Sequence, residues 1–218
     1  MRVEELLSEC ASRLATSRDN ERFVDDAYNV LNGVQNHLSS IRQWGFSLTI
    51  DQSVTVSSST RSASLPSDFH TLFGDTRVRD TTNGSWMEPI TYSEWMERWY
   101  EDGSSEGNPA KFWIVDQTFY VTPIPSADTT FLYAYFSRPT ELGPNNQELW
   151  VPDEYRQQVV RFALRDLMER GYSPLAEVDV NERLLTALEM SMVMDDMRRH
   201  PHAAPSMKMK RGERYQRY

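Results

Sequence analysis

The chain has 218 residues, 39% apolar and 25% charged, which is enough for a substantial core. The single Cys10 excludes an internal disulfide and a cysteine-based zinc site, and no apolar run is long enough to span a bilayer, so no membrane partner is expected. The formal net charge of −9 is unevenly spread: over residues 198–218, Arg198, Arg199, Lys208, Lys210, Arg211, Arg214 and Arg217 face Glu213 alone, a net of +6, which leaves −15 on residues 1–197. An acidic body with a basic tail suits an acidic surface or a phosphate backbone, and the plainer expectation is a solvated terminus. Residues 1–7 mix charge with leucine and lack an apolar signal core, so the protein is expected to stay in the compartment where it is made.

Residues 3–16 read as a first helix, with Val3, Leu6, Leu7, Cys10, Leu14 and Ala15 on one face. Asp19 and Asn20 can cap the next helix, residues 21–44. There Val24, Ala27, Leu31, Val34, Leu38 and Ile41 form a narrow apolar stripe, suited to bundle packing within the chain or between subunits. Asn29, Asn32, Gln35, Asn36 and Ser39 give the helix a polar side, and Gly45 is expected to end it. From residue 46 to 56 the period changes to two, with Phe46, Leu48, Ile50, Val54 and Val56 on even positions, which predicts a strand or hairpin with one buried face. Residues 57–64 read as a polar loop.

The run Leu65-Pro66-Ser67-Asp68-Phe69 reads as a turn into a sheet, with Asp68 accepting from nearby amides. Residues 73–78 and 85–90 read as short strands around Asn83-Gly84, a hairpin signal. Residues 92–100 predict a short helix capped by Thr91 or Ser93, with Trp95 and Trp99 packed on the sheet. Residues 111–115 and 118–122 predict a hairpin over Asp116-Gln117, and residues 130–136 are apolar on both faces, as in a central strand. Residues 152–170 carry the signals of a helix: Pro152 at the start, Asp153 and Glu154 in the first turn, Gly171 as the stop. Residues 177–199 predict another, with Leu184, Leu185, Leu188 and Met192 on one face. Met190, Met194 and Met197 share a separate face, open to either core or binding use. Residues 200–218 have no periodicity and are expected to be disordered alone.

No trusted catalytic or ligand constellation emerges, so no catalytic residue, metal site or cofactor is expected. Gly103 and Gly107 lie in an acidic linker with no phosphate-loop pattern. His200 and His202 lack a third ligand, and His37 reads as a solvated surface residue. Asp68 with Glu88 or Glu94 is better read as a turn cap and surface charges than as a glycosidase pair. Asp195 and Asp196 read as local charge partners of Arg198 and Arg199.

Several ordered patterns resemble the head-to-tail adaptor (connector) proteins of tailed bacteriophages, near the tail tubular protein A group of short-tailed phages. They are Ile41-Arg42-Gln43-Trp44-Gly45-Phe46-Ser47-Leu48, Leu65-Pro66-Ser67-Asp68-Phe69, Pro109-Ala110-Lys111-Phe112-Trp113 with Val121-Thr122-Pro123-Ile124-Pro125, Tyr133-Ala134-Tyr135-Phe136 with Arg138-Pro139 and Leu142, and Val151-Pro152-Asp153-Glu154-Tyr155. The expected fold is α+β: a helical bundle from residues 1–45 and 150–199, an inserted antiparallel β-sandwich or barrel-like module at 46–149, and an extended basic arm at 200–218. The resemblance implies a virion structural protein without enzymatic activity. It would form a homo-oligomeric ring, usually of twelve copies, that binds the portal protein ring, meets the tail nozzle or tail tube protein, and passes double-stranded DNA without binding it specifically. Assembly would take place in the host cytoplasm. Portal docking would fall to the arm: Arg198, Arg199, Met207, Lys208, Met209, Lys210, Arg211, Arg214, Tyr215, Arg217 and Tyr218. Asn83, Gly84, Ser104 and Ser105 mark loops expected to face the tail, since loops on a rigid module carry contacts. Two other classes stay open: a nucleic-acid-binding accessory protein using the arm, and a carbohydrate-binding or carbohydrate-processing tail component using the Trp-rich module.

Overall fold

The structure, a computed structural model, describes residues 2–74, 78–98, 105–175 and 182–201. The chain is α+β. Helix α1 (Val3–Arg13) buries Val3, Leu6, Leu7 and Cys10. It stops short of Thr16 because Leu14 is extended and bridges Pro174, while the Ala15 N–H donates to the Ser173 carbonyl at 2.8 Å. Ala15 is therefore exposed rather than part of the buried face.

Helix α2 (Glu21–Ile41) starts where Asn20 accepts from the Phe23 N–H at 3.4 Å, and it buries Ala27, Leu31, Val34 and Leu38 of the expected stripe, whereas Val24 is half-buried and Ile41, at the helix end, is exposed. Its polar side is not all solvent-facing. Asn32 bonds the Leu142 backbone in both directions at 3.1 and 2.8 Å, and buried Gln35 donates to the Thr140 carbonyl at 2.8 Å. Side-chain amides mimic peptide groups, so they hold the chain where it returns from the β-strands.

The helix ends at Ile41, and Gly45 is not its cap. Arg42 is extended, and the Trp44 indole N–H donates at 2.6 Å to the Leu38 carbonyl, one of those a helix terminus leaves free. Helix α4 (Arg156–Glu169) follows a 3-10 turn at Asp153–Tyr155. It closes as expected at Gly171, where φ is 96° and the Gly171 and Tyr172 N–H groups return to Met168 and Leu167. Helix α5 (Glu182–Arg199) buries Leu185, Met192 and Asp196. The expected first turn of that helix lies outside the described residues. One buried cluster joins α1, α2, α4 and α5 with Trp44, Leu142, Leu149 and Val151.

The strands are β1 (Leu48–Val56), β2 (Ser62–Ser64), β3 (Phe69–Leu72), β4 (Arg79–Asp80), β5 (Glu88–Pro89), β6 (Glu106–Gly107), β7 (Lys111–Val115), β8 (Thr118–Thr122), β9 (Ile124–Pro125) and β10 (Thr129–Ser137). One sheet has the order β1-β10-β3, with β4 also on β10; a second runs β2-β8-β7-β5; β6 and β9 form a pair. Strand β10 is central in its sheet, as its two apolar faces suggest. The expectation of purely antiparallel pairing is corrected at two places, since β5 pairs β7 and β6 pairs β9 in parallel. The first of these is possible because a long connection containing α3 (Tyr92–Arg98) separates the strands. The loop expected at 57–64 contains β2, paired with Thr118–Tyr120.

The even-position pattern of β1 breaks at Ile50, which is 61% exposed. A bulge sets Ile50 and Asp51 against Ala134 alone, and Asp51 sits at φ 55°, so the following residues face the core in a new phase. The β7–β8 hairpin turns over Asp116 and Gln117 at φ 47° and 63°, the tight hairpin geometry that its two-residue loop demands. A second buried cluster, including Val56, Phe69, Phe112, Phe119, Val121, Phe131 and Tyr133, draws on both larger sheets.

The end of α4 is tied to α2 by Asp26, which accepts from Tyr172 Oη and Arg170 Nη1, both at 2.9 Å. The Tyr172 hydrogen bond, with Arg170 beside it, holds the Asp26 carboxyl below its ordinary value. Its contribution to stability is thus present above the ordinary carboxylate pKa and is lost as pH falls through the lowered one. Asp26→Asn is expected to be less stable than the parent at neutral pH, with the gap in urea midpoint closing in acid; a gap constant with pH would contradict this.

Candidate interaction surfaces

Three segments meet at one point: the end of α2, the start of β1 and the end of α5. Asp196 of α5 is fully buried there. Its Oδ2 and Oδ1 accept from the Gly45 N–H at 2.9 and 3.1 Å; Arg42 Nη2 lies 3.4 Å from Oδ2, and His200 Nδ1 lies 3.1 Å from Oδ1. A buried carboxylate needs such a ring of donors, because taking it out of water is otherwise prohibitive. The residue at position 45 must be glycine for a local reason: an added Cβ would overlap the His200 side chain. Arg42 also lies over the Trp44 ring, 5.5 Å from its centroid, and donates to the Val193 carbonyl at 3.3 Å.

Around this point Trp44 stacks on Phe46 at 5.4 Å, and Phe46 meets Trp150 edge-on at 5.0 Å. Asp196 is thus not the local surface charge expected from the sequence; its partners lie mostly on another element, 151 residues away. Asp195 does act locally, pairing with Arg199 at 2.8 Å, and it accepts from Tyr155 Oη at 3.2 Å. Burial, then the charge of Asp195, push the Tyr155 hydroxyl well above its ordinary value, so it remains a donor.

This junction fixes the root of the basic arm. Arg199 is held by Glu154 at 3.0 Å as well as by Asp195, whereas Arg198 is exposed. The remaining arm residues proposed for docking, from Met207 to Tyr218, lie outside the described residues. The Met-rich helix divides: Met192 is buried and Met197 half-buried, while Met190 and Met194 are 60% and 58% exposed.

The hairpin around Asn83 and Gly84 is a built loop. Buried Asp80 accepts from the Thr82 and Asn83 N–H groups at 2.8 and 2.9 Å and from the Asn83 side-chain amide at 2.7 Å; Gly84 sits at φ 72°. Trp86, on the arm leading away, is 65% exposed. Of the other loop, Ser105 is exposed and its carbonyl accepts from the Ile124 N–H at 3.0 Å, while Ser104 lies outside the described residues.

The carboxylates weighed as an acid pair each have a structural partner. Asp68 accepts from Tyr135 Oη at 2.9 Å rather than from turn amides, Glu88 binds Lys111 at 2.6 Å, and Glu94 forms a capping box with Thr91. Burial, then the Asp68 hydrogen bond, raise Tyr135 to about 12. Trp95 is buried and stacked on Trp113 at 4.9 Å, with Arg61 over its ring, so it offers no open face for a sugar. Trp99 lies outside the described residues. His37 pairs with Glu189 at 2.7 Å. Among the described residues, no three His, Cys, Asp or Glu side chains gather as a metal site, and no helix is long and apolar enough to cross a membrane.

The described residues give an α+β fold held at an inter-element junction, with a braced surface hairpin. The chain belongs to the SU10 adaptor protein family, whose model matches residues 1–206. Its role is that of a bacteriophage head-to-tail adaptor. No curated protein matches the chain.

Asp196→Ala is expected to destabilise the protein by about 3–5 kcal/mol, because it strands the Arg42 charge and the Gly45 N–H in a buried place. Asp196→Asn, which keeps an acceptor for Gly45, should cost clearly less. Urea unfolding of both variants checks this, and equal, small losses would contradict it.

Proposed function

We propose that copies of this chain assemble into a ring, of the order of twelve, between the portal and the tail of a short-tailed phage of the tail tubular protein A kind. In this reading residues 1–45 and 150–199 form the ring-building module. Residues 46–149 form a module directed at the tail nozzle or tail tube protein, with the Asn83-Gly84 hairpin and the loop at Ser104 and Ser105 as its contacts. Residues 200–218 form the arm that docks on the portal, through Met207, Lys208, Met209, Lys210, Arg211, Arg214, Tyr215, Arg217 and Tyr218, with Arg198 at its base. Double-stranded DNA passes through the channel without specific binding, since residues 1–197 carry a net −15 and repel the phosphate backbone. The chain acts as a mechanical joint, with no chemical step of its own.

The observation that supports this best is the charge asymmetry: residues 198–218 carry +6 after a body of −15, and their first two arginines stand on a helix end anchored through Asp196. A basic segment gains order and affinity together on an acidic surface, and repetition around a ring multiplies weak single contacts. Each charge contact at an exposed surface contributes about 0.2–1 kcal/mol. Replacing Lys208, Lys210, Arg211, Arg214 and Arg217 by serine is therefore expected to abolish co-sedimentation with the portal ring, and raised salt should weaken the parent's binding. Co-sedimentation unchanged by both treatments would move the contact to the helices and overturn the arm's role. Strong DNA binding by the isolated chain would favour the nucleic-acid reading instead.

A further inference from the structure

A cleft of about 460 Å³ opens between α2, α4 and α5. Its floor is apolar, formed by Val34, Phe162 and Leu185, and its rim carries Asp166, Glu182 and Glu189 against Arg165 and His37. Three of these groups are already engaged: Glu189 with His37 at 2.7 Å, and Arg165 with Glu169 at 3.0 Å. Burial raises the Asp166 carboxyl above its ordinary value, and a cation arriving beside it would lower it again.

Gly33 lies in the middle of α2 on the wall of this cleft, and a Cβ added there would meet no described atom within 4 Å. Glycine in a helix interior costs about 1 kcal/mol relative to alanine. No described neighbour makes use of the missing side chain. What it leaves is room for a group approaching from outside.

We propose that the basic segment at residues 208–217 of the same chain docks in this cleft. The charges are complementary: Lys208, Lys210, Arg211, Arg214 and Arg217 stand against Glu213 alone. The reach is sufficient. Along α5, Glu189 lies about 18 Å back from Pro201 at 1.5 Å per residue, and an extended chain covers about 3.3 Å per residue, so Lys208 already reaches about 23 Å.

The path is apolar. Exposed Met194 and Met190 lie on α5 between the root of the segment and the cleft, and Met207 and Met209 flank Lys208. A tyrosine or methionine fills the apolar floor while flanking cations meet Asp166 and Glu182. The arm then has two alternative seats, this cleft and the portal, and portal binding releases it from the first. Tethering holds the segment at an effective concentration on the order of millimolar, so a weak intrinsic contact suffices for about half occupancy.

The test is a nitroxide spin label on Gln216→Cys in the full ¹⁵N-labelled chain, without portal. Cys10 stays unlabelled, because burial above all pushes its thiol up to about 12 and it is buried. The amides of Gly33 and Thr186 are expected to lose about half their intensity, as half occupancy implies. The loss should disappear in the Glu182→Lys, Thr186→Lys variant, whose amide dispersion reports that it is folded. Attenuation no greater than at Thr60 of the β-region, or attenuation that survives the charge reversal, overturns the proposal. So does attenuation seen only between labelled and unlabelled chains in a mixture, which would give the cleft to a neighbouring copy. Failure here leaves portal docking standing, since no portal is present.

Discussion

A buried carboxylate with no exposure to water dictates much of its surroundings. Asp196 must be met by donors, and it is met from three directions: the Gly45 amide, Arg42 and His200. Removing the carboxylate leaves a charge and a peptide group without their partner in a dry place. This one requirement joins the end of α2, the entry to β1 and the base of the arm. It also explains the local sequence: Gly45 because His200 occupies the space of a side chain, and Trp44 because its indole closes the end of α2.

The β-region hangs from this junction by a paired stem. Its first and last long strands are neighbours, with Leu48 opposite Phe136, so the chain enters and leaves at the same end. Ser137 Oγ donates to the Ser47 carbonyl, and Trp150 Nε1 donates to Ser137 Oγ, closing the stem across its base. Asn32 and Gln35 then take hold of the returning chain at Leu142 and Thr140. Further off, Arg156 binds Glu5 and Glu9 of α1 at 2.7 and 2.9 Å, which locks the first helix to α4. Each of these ties joins elements distant in sequence.

The features legible in the sequence were those that obey short-range rules. The α2 stripe, the Gly171 stop, the Thr91 cap and the Asp116-Gln117 turn are all set by neighbours within a few residues. What stayed hidden depended on distant partners. Ile50 follows the alternating pattern yet points to solvent, because Asp51 adopts a left-handed conformation in a bulge. Gly45 looked like a helix cap and Asp196 like a surface charge, and each owes its place to the other. Asn32 and Gln35 read as a solvated face; only their lack of charge hinted at backbone contacts. At the surface hairpin, the sequence identified the Asn83-Gly84 turn, but not Asp80, which builds the turn, nor Trp86 beside it.

The most direct measure of the central claim is amide hydrogen exchange at Gly45. A peptide N–H held by a fully buried carboxylate should exchange only when the whole molecule unfolds, at the rate of the most protected amides of α2 and β10. Exchange as fast as that of solvent-exposed turns would contradict the account, and would mean that Asp196 is not the point on which the junction closes.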